Sequence, residues 1–265
     1  MNVELLRKKF AAMGARVVLG EAAEWGRNRA GLDIKTDPHG EFFDIRINSS
    51  DAVEYEVVDL RPEMRHLLLM SRRGETKEKF LCGHDERHWF VCAVPGASVS
   101  KVTDALAALQ PREVRAAVRR AVKRPKDRFR RRNEAFVRQG EWFFIPLRGA
   151  RRFAPAVVHR NEPLSRGAGS KPHVCEELAR AGGEVVYVCA MQPNGVTFEQ
   201  YRRLLATNRH AGGWNWRQMS RGMNVFVRGR VRHPDHKTVV LEGWHRVVMN
   251  TEREAPAMRH VVFLD

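Results

Sequence analysis

Short apolar segments, each cut off by turn residues, constrain this chain more than any other feature. GLDIKT, EFFDIRI and AVEYEVVDL alternate apolar and polar residues, and Asp37-Pro38-His39-Gly40 and Asn48-Ser49-Ser50 separate them. Alternation at period two sends one set of side chains to a core and the other to water, the pattern of half-buried strands. RHLLLMS and KEKFLCG, split at Arg73-Gly74, and HWFVCAVPG, beyond the Gly83–Arg87 turn, continue the series. A helix precedes them, because Leu6, Phe10 and Met13 recur at helical spacing before Gly14. An α+β region of mostly antiparallel strands over residues 1–97 is expected.

The pattern then changes. Val99, Val102, Leu106 and Leu109 form a helical stripe after Ser98, a candidate N-cap. Pro111 suits the first turn of a second helix, and Pro125 should end it. At 100° per residue Val114, Ala117, Val118, Ala121 and Val122 share one side of that helix. Arg112, Arg119, Arg120, Lys123 and Arg124 share the other, with Arg115 at the border. Residues 98–138 are therefore expected to be a basic helical bridge. From Arg112 to Arg132 there are eleven Lys or Arg against Glu113 and Asp127, a local surplus of nine out of a net charge of +16 for the chain. Charges this dense repel one another and are most easily tolerated beside an anionic partner.

Residues 139–265 read as a second α+β region. EWFFIPL opens it as a strand, and RNEPLSRGAGSKP is a loop. Ser170 and Pro172 suggest the start of a helix that Gly182-Gly183 stops. EVVYVCA is a strand, QPNG a turn, and Thr197 with Gln200 matches a capping box for TFEQYRRLLAT. MNVFVRGRVR, KTVVLEG and HRVVMN follow as antiparallel strands, and RHVVFLD suggests a closing one. The expected fold class is thus α+β, with two mostly antiparallel sheet regions joined by a basic amphipathic helix.

Three functional readings follow. The leading one is binding of RNA or another single-stranded nucleic acid, a property that suits a subunit of a ribonucleoprotein or mobile-element complex with further protein partners. Arg115, Arg119, Arg120, Lys123, Arg124, Lys126, Arg128, Arg130, Arg131 and Arg132 would follow the phosphates. Alternation in the strand 225–232 puts Phe226, Arg228, Arg230 and Arg232 on one face, which would stack unpaired bases and contact their phosphates. The second reading is a metal-dependent nuclease. It uses His233, Asp235 and His236, with His245 or the turn carrying His84, Asp85, Glu86 and His88, to activate water. Neither spacing matches a metal signature. The third is a structural module that docks to an acidic protein. No residue is assigned to catalysis and no cofactor is called for. No apolar run approaches the roughly 18 residues of a membrane span, so no membrane partner is expected. Cys82, Cys92, Cys175 and Cys189 form no CxxC pair and fit free thiols in a reducing cytoplasm.

Overall fold

The computed structural model describes residues 3–21, 31–47, 53–96, 98–147, 153–166 and 170–255. The proposed closing strand at 259–265 and the turn at 48–50 lie outside them.

Helix α1 (Val3–Ala12) buries Leu6 and Phe10, with Met13 just beyond its end, as its stripe requires. Strands β1 (Val17–Glu21), β2 (Gly31–Asp37) and β3 (Gly40–Ile47) form a three-stranded sheet of order β1-β3-β2, in which β1 runs parallel to β3. Strands β4 (Val53–Arg61), β5 (His66–Arg73), β6 (Thr76–Asp85) and β7 (His88–Ala93) form an antiparallel meander. In β5 every residue from His66 to Ser71 is buried. The reason is that this sheet is covered on both faces. Leu67 and Leu69 meet Phe10, Phe43 and Ile45 on one side, and Leu68 meets Val102, Ala105 and Leu109 on the other. The first two lie in helix α2 (Val102–Ala108), and Leu109 immediately follows it. Its N-cap is Lys101, not Ser98, and the Val102 N–H is taken by the Asp59 carboxylate at 2.8 Å.

Helix α3 (Arg112–Ala121) has Pro111 as its N-cap and ends before Pro125. It does not bridge two sheets. Val114, Ala117, Val118 and Val122 lie against Ala135, Phe136 and Phe143, so the apolar stripe is spent on a sheet and the chain after the helix folds back along it.

That sheet has six strands in the order β10-β11-β15-β16-β9-β8. They are β8 (Val137–Gln139), β9 (Trp142–Pro146), β10 (His159–Leu164), β11 (His173–Ala181), β15 (Asn224–Arg232) and β16 (Val239–Met249). Between β11 and β15 the chain makes a side unit. It comprises β12 (Glu184–Cys189), β13 (Gln192–Val196), α4 (Phe198–Thr207) and β14 (Arg217–Arg221), with sheet order β13-β12-β14. Tyr187 stacks on Tyr201 at 4.3 Å, and Trp216 meets Tyr201 edge-on at 5.0 Å, joining sheet to helix. The capping box on α4 is present, with both the Thr197 and Gln200 bonds formed.

The large sheet coils on itself. Register shifts interrupt the β15–β16 ladder, and Gly229 and Gly243, at φ +84 and +77, stand within them. Such bulges bend a strand and increase its twist. Edge-strand Gln139 consequently donates through Nε2 to the carbonyls of Val231 (3.3 Å), in β15, and Lys237 (2.7 Å), in the β15–β16 connection, although β9 and β16 stand between β8 and β15 in the sheet order. The interior of the coil holds Trp142, Phe144, Leu178, Val227 and Val231.

The expected fold class is therefore corrected. Among the described residues the chain is mostly β, with sixteen strands in four sheets and four α-helices of ten residues or fewer. The segment 173–181 accounts for part of the difference. Its Glu, Leu, Ala and Arg residues favour a helix in isolation, but pairing with both β10 and β15 makes it a central strand. Likewise QPNG is strand β13, and its turn falls at 190–191.

Candidate nucleic-acid interface and histidine cluster

On α3 the three-to-four-residue spacing turns Arg115 and Arg119 outward while Val114 and Val118 are buried. The next turn is organised by Asp127, whose residue is 5% exposed. Its carboxylate receives Arg124 Nε at 2.6 Å and lies 3.0 Å from Arg130 Nε. Its carbonyl accepts from Asn133 Nδ2 at 3.0 Å, and Asn133 Oδ1 in turn accepts the N–H groups of Ala135 and Phe136. One acid thus folds a stretch that would otherwise repel itself.

The other cations divide by partner. Arg131 is half-buried and paired with Asp85 and Glu86. Arg132 donates to the Val240 carbonyl at 3.0 Å, and Arg120 to the Ala116 carbonyl at 3.3 Å. Arg115, Arg119, Lys123, Lys126 and Arg128 are exposed, and none of them pairs with an acid among the described residues. Beside the helix runs a groove of about 640 Å³ with Ala117, Ile145 and Leu147 in its lining and Arg112, Arg120 and Arg246 beside them.

The strand β15 alternates as its sequence requires, but its outward face is not what the alternation alone implies. Val227 and Val231 enter the coil interior. Phe226, on the other face, is only 9% exposed, because Phe153 covers it at 4.4 Å and Trp244 and Ala179 flank it. The expectation of an exposed Phe226 is corrected: an aromatic ring on a sheet face recruited a loop to cover it. Arg228 lies 4.9 Å over the Trp244 ring and pairs with Glu177 at 2.5 Å. Arg230 pairs with Glu176 at 3.1 Å, and Arg232 bonds Asn161 at 2.8 Å. The Arg230 backbone N–H, then its guanidinium, hold the Glu176 carboxyl below its ordinary range. Arg228 and Arg230 are thus neutralised by acids, and Arg232 is held by a neutral amide.

The two histidine-carboxylate turns adjoin, with Asp85, His88 and His236 lining one cavity, but most of their side chains are taken by other partners. His88 pairs with Glu41 at 2.6 Å, and His84 packs edge-on against Trp89. Asp85 reaches Arg131 and Arg138 at 3.2 and 3.3 Å, and Glu86 accepts the Lys237 N–H at 2.5 Å. These two acids join the meander to the coiled sheet. His245 sits in β16 with Nδ1 3.0 Å from the Gly243 carbonyl, and the Asp235 carboxylate is held by Lys171 at 3.0 Å. Neither forms a ligand set with His233 and His236.

What His233 and His236 do meet is His173. The first residue of β11 and the β15–β16 connection lie at the same end of the sheet, because β11 and β15 are antiparallel neighbours. One nitrogen from each of the three rings lies within 4.8 Å of the others. His173 is 1% exposed and neither of its ring nitrogens has a hydrogen-bond partner. Burial first, then His233 and His236, push its pKa down to about 3, so the ring is neutral. His236 is lowered in the same direction and for the same leading reason. The sequence reading missed His173, for which no local signal exists: its partners lie sixty residues on, and the strand that carries it reads as a helix.

No protein-family model matches the chain, and neither a curated protein nor a solved structure is significantly similar to it. Among the described residues no helix is long and apolar enough to cross a membrane.

Proposed function

We propose that this protein binds RNA or another single-stranded nucleic acid along the ridge of Arg115, Arg119, Lys123, Lys126 and Arg128. The supporting observation is that these cations are exposed and without an acid partner on a firmly packed support, whereas among the described residues arginines such as Arg124, Arg131, Arg228 and Arg230 are matched to acids. Backbone fixed in advance reduces the ordering cost of binding. The groove beside α3, whose rim carries Arg112 and Arg120 with Glu113 and Glu134, favours a single strand, since its apolar lining can receive an unstacked base. The four cysteines are buried and unbonded, which fits a reducing cytoplasm. Further proteins of a ribonucleoprotein would occupy other faces.

The test is the salt dependence of binding to purified oligonucleotides. Five phosphate contacts give a slope of log affinity against log salt of about −3.5 for a single strand. Replacing Arg115, Arg119, Lys123 and Lys126 with Gln preserves helix propensity and should shrink the slope by nearly three units, about equally for all sequences. Unchanged affinity and slope would remove the support for this reading. Equal competition by polyglutamate would instead mark the ridge as a docking site for an acidic protein.

A further inference from the structure

We propose that His173, His233 and His236 are the protein ligands of a divalent metal centre of the zinc class, with a fourth coordination position open toward the cavity that His236 lines. The argument is independent of nucleic-acid binding.

A neutral imidazole carries one N–H donor and one acceptor nitrogen. In His173 both are buried and unpartnered, a state that is costly when nothing satisfies the group. A cation bound by one of the nitrogens removes much of that cost. The three rings are tilted against one another by 30°, 32° and 23°, at centroid separations of 4.3 Å (His173–His233), 4.6 Å (His233–His236) and 5.7 Å (His173–His236). Zinc–nitrogen bonds of about 2.0–2.1 Å in a tetrahedron set the nitrogens about 3.3 Å apart. The rings therefore need to close by about an ångström or two, a side-chain adjustment.

Gly140, at φ +55 in the turn between β8 and β9, leaves room for this. A Cβ there would stand 2.9 Å from His236 Nε2 and 3.6 Å from His173 Nε2, so these two nitrogens face the space that the missing side chain leaves. His233 is already oriented from its far side. Its Nε2 lies 3.3 Å from the Lys171 carbonyl, and a donor there leaves the Nδ1 lone pair free for a metal. That lone pair now accepts the Asp235 N–H at 3.1 Å, a bond that metal binding would replace. Gly140 and His236 both line a cavity of about 210 Å³, whose walls include Asp85, Glu141, Arg138 and Arg166. Three neutral imidazoles leave the ion its full double charge. A water or an anionic group entering from the cavity would complete its shell.

The experiment uses the untagged full chain, stripped with a chelator and titrated with Zn²⁺ and with Co²⁺. The expected result is one metal per chain by elemental analysis, a raised melting temperature, and the visible absorption of tetrahedral Co²⁺ that Zn²⁺ abolishes. His236→Gln, at a half-buried position, should keep the native circular dichroism and weaken Zn²⁺ binding by about a hundredfold or more, and His233→Gln should do the same. His173→Gln joins the series if it folds. Failure of the stripped, folded wild type to take up stoichiometric Zn²⁺ overturns the proposal. So does uptake unchanged in the His233→Gln/His236→Gln double variant, which would place the metal elsewhere.

Discussion

Replacing Asp127 with Asn tests how the basic turn is held and which arginines it withholds. The two shapes are nearly the same, so the substitution removes charge with little change in packing. The carboxylate accepts a hydrogen bond from Arg124 at 2.6 Å and forms an ion pair with Arg130 at 3.0 Å. A hydrogen bond to a charged group contributes roughly 1.5–3 kcal/mol, but both guanidiniums are mostly exposed and screened, and Asn keeps one acceptor. A net loss of about 2 kcal/mol follows. At about 2–4 °C per kcal/mol for a chain of this size, the melting temperature should fall by about 4–8 °C. Nucleic-acid binding should respond in the opposite sense. Arg124 and Arg130 lose their internal partner, and if both turn to phosphates the salt slope on a single strand steepens by about 1.4 units. Calorimetry and oligonucleotide titrations over a salt series measure the two effects separately. A melting temperature within about one degree of wild type would refute the role of Asp127 as the organiser of the turn. A destabilised variant with an unchanged slope would show that Arg124 and Arg130 do not face the partner.

Phe226→Ala should cost about 3–5 kcal/mol in urea unfolding, because the ring is enclosed by Phe153 and Trp244, and should leave affinity per folded molecule unchanged. A stable variant with weakened binding would contradict the burial described above. Thr197→Ala removes one bond of the capping box on a helix with no buried residue. It should lower hydrogen-exchange protection within 198–207 by the equivalent of about 1 kcal/mol while the coiled sheet is unaffected. Loss of protection throughout the chain would contradict this independence. Asp37 is held by the Arg16 guanidinium and should titrate at about pH 2 by NMR. A depressed carboxyl adds stability above its ordinary range and loses it as pH falls through the folded value, so Arg16→Gln should return the midpoint to that ordinary range. An unshifted midpoint in the variant would exclude the pair as the cause.

Local signals carried much of the secondary structure. The Leu6, Phe10, Met13 stripe, the Thr197–Gln200 box and the alternation of β15 each depend on neighbours a few residues away. Segment 173–181 was illegible for the opposite reason, since only its two flanking strands decide its state. The glycines at 229 and 243 read as interruptions in strands, but that they coil the sheet until Gln139 meets Val231 depends on a ladder between distant segments. The candidate ridge was visible as a charge run. What the sequence could not separate is which of its cations are free, because Asp127, Asp85 and Glu86 choose their partners in three dimensions. His173 shows the same limit in the cluster it completes.

The pairing pattern also sets how a partner would arrive. Glu176, Glu177 and Glu162 cancel Arg230, Arg228 and Arg180 at short range, so little of that charge is felt outside the molecule. Beyond a Debye length of about 8 Å at physiological salt most surface charge is screened, and just inside it the cations without an acid partner, those of the ridge among them, set the field. On the proposed reading, a polyanion drifting past α3 would be drawn to the ridge before it touched anything, and its capture rate would fall as salt shortens that reach.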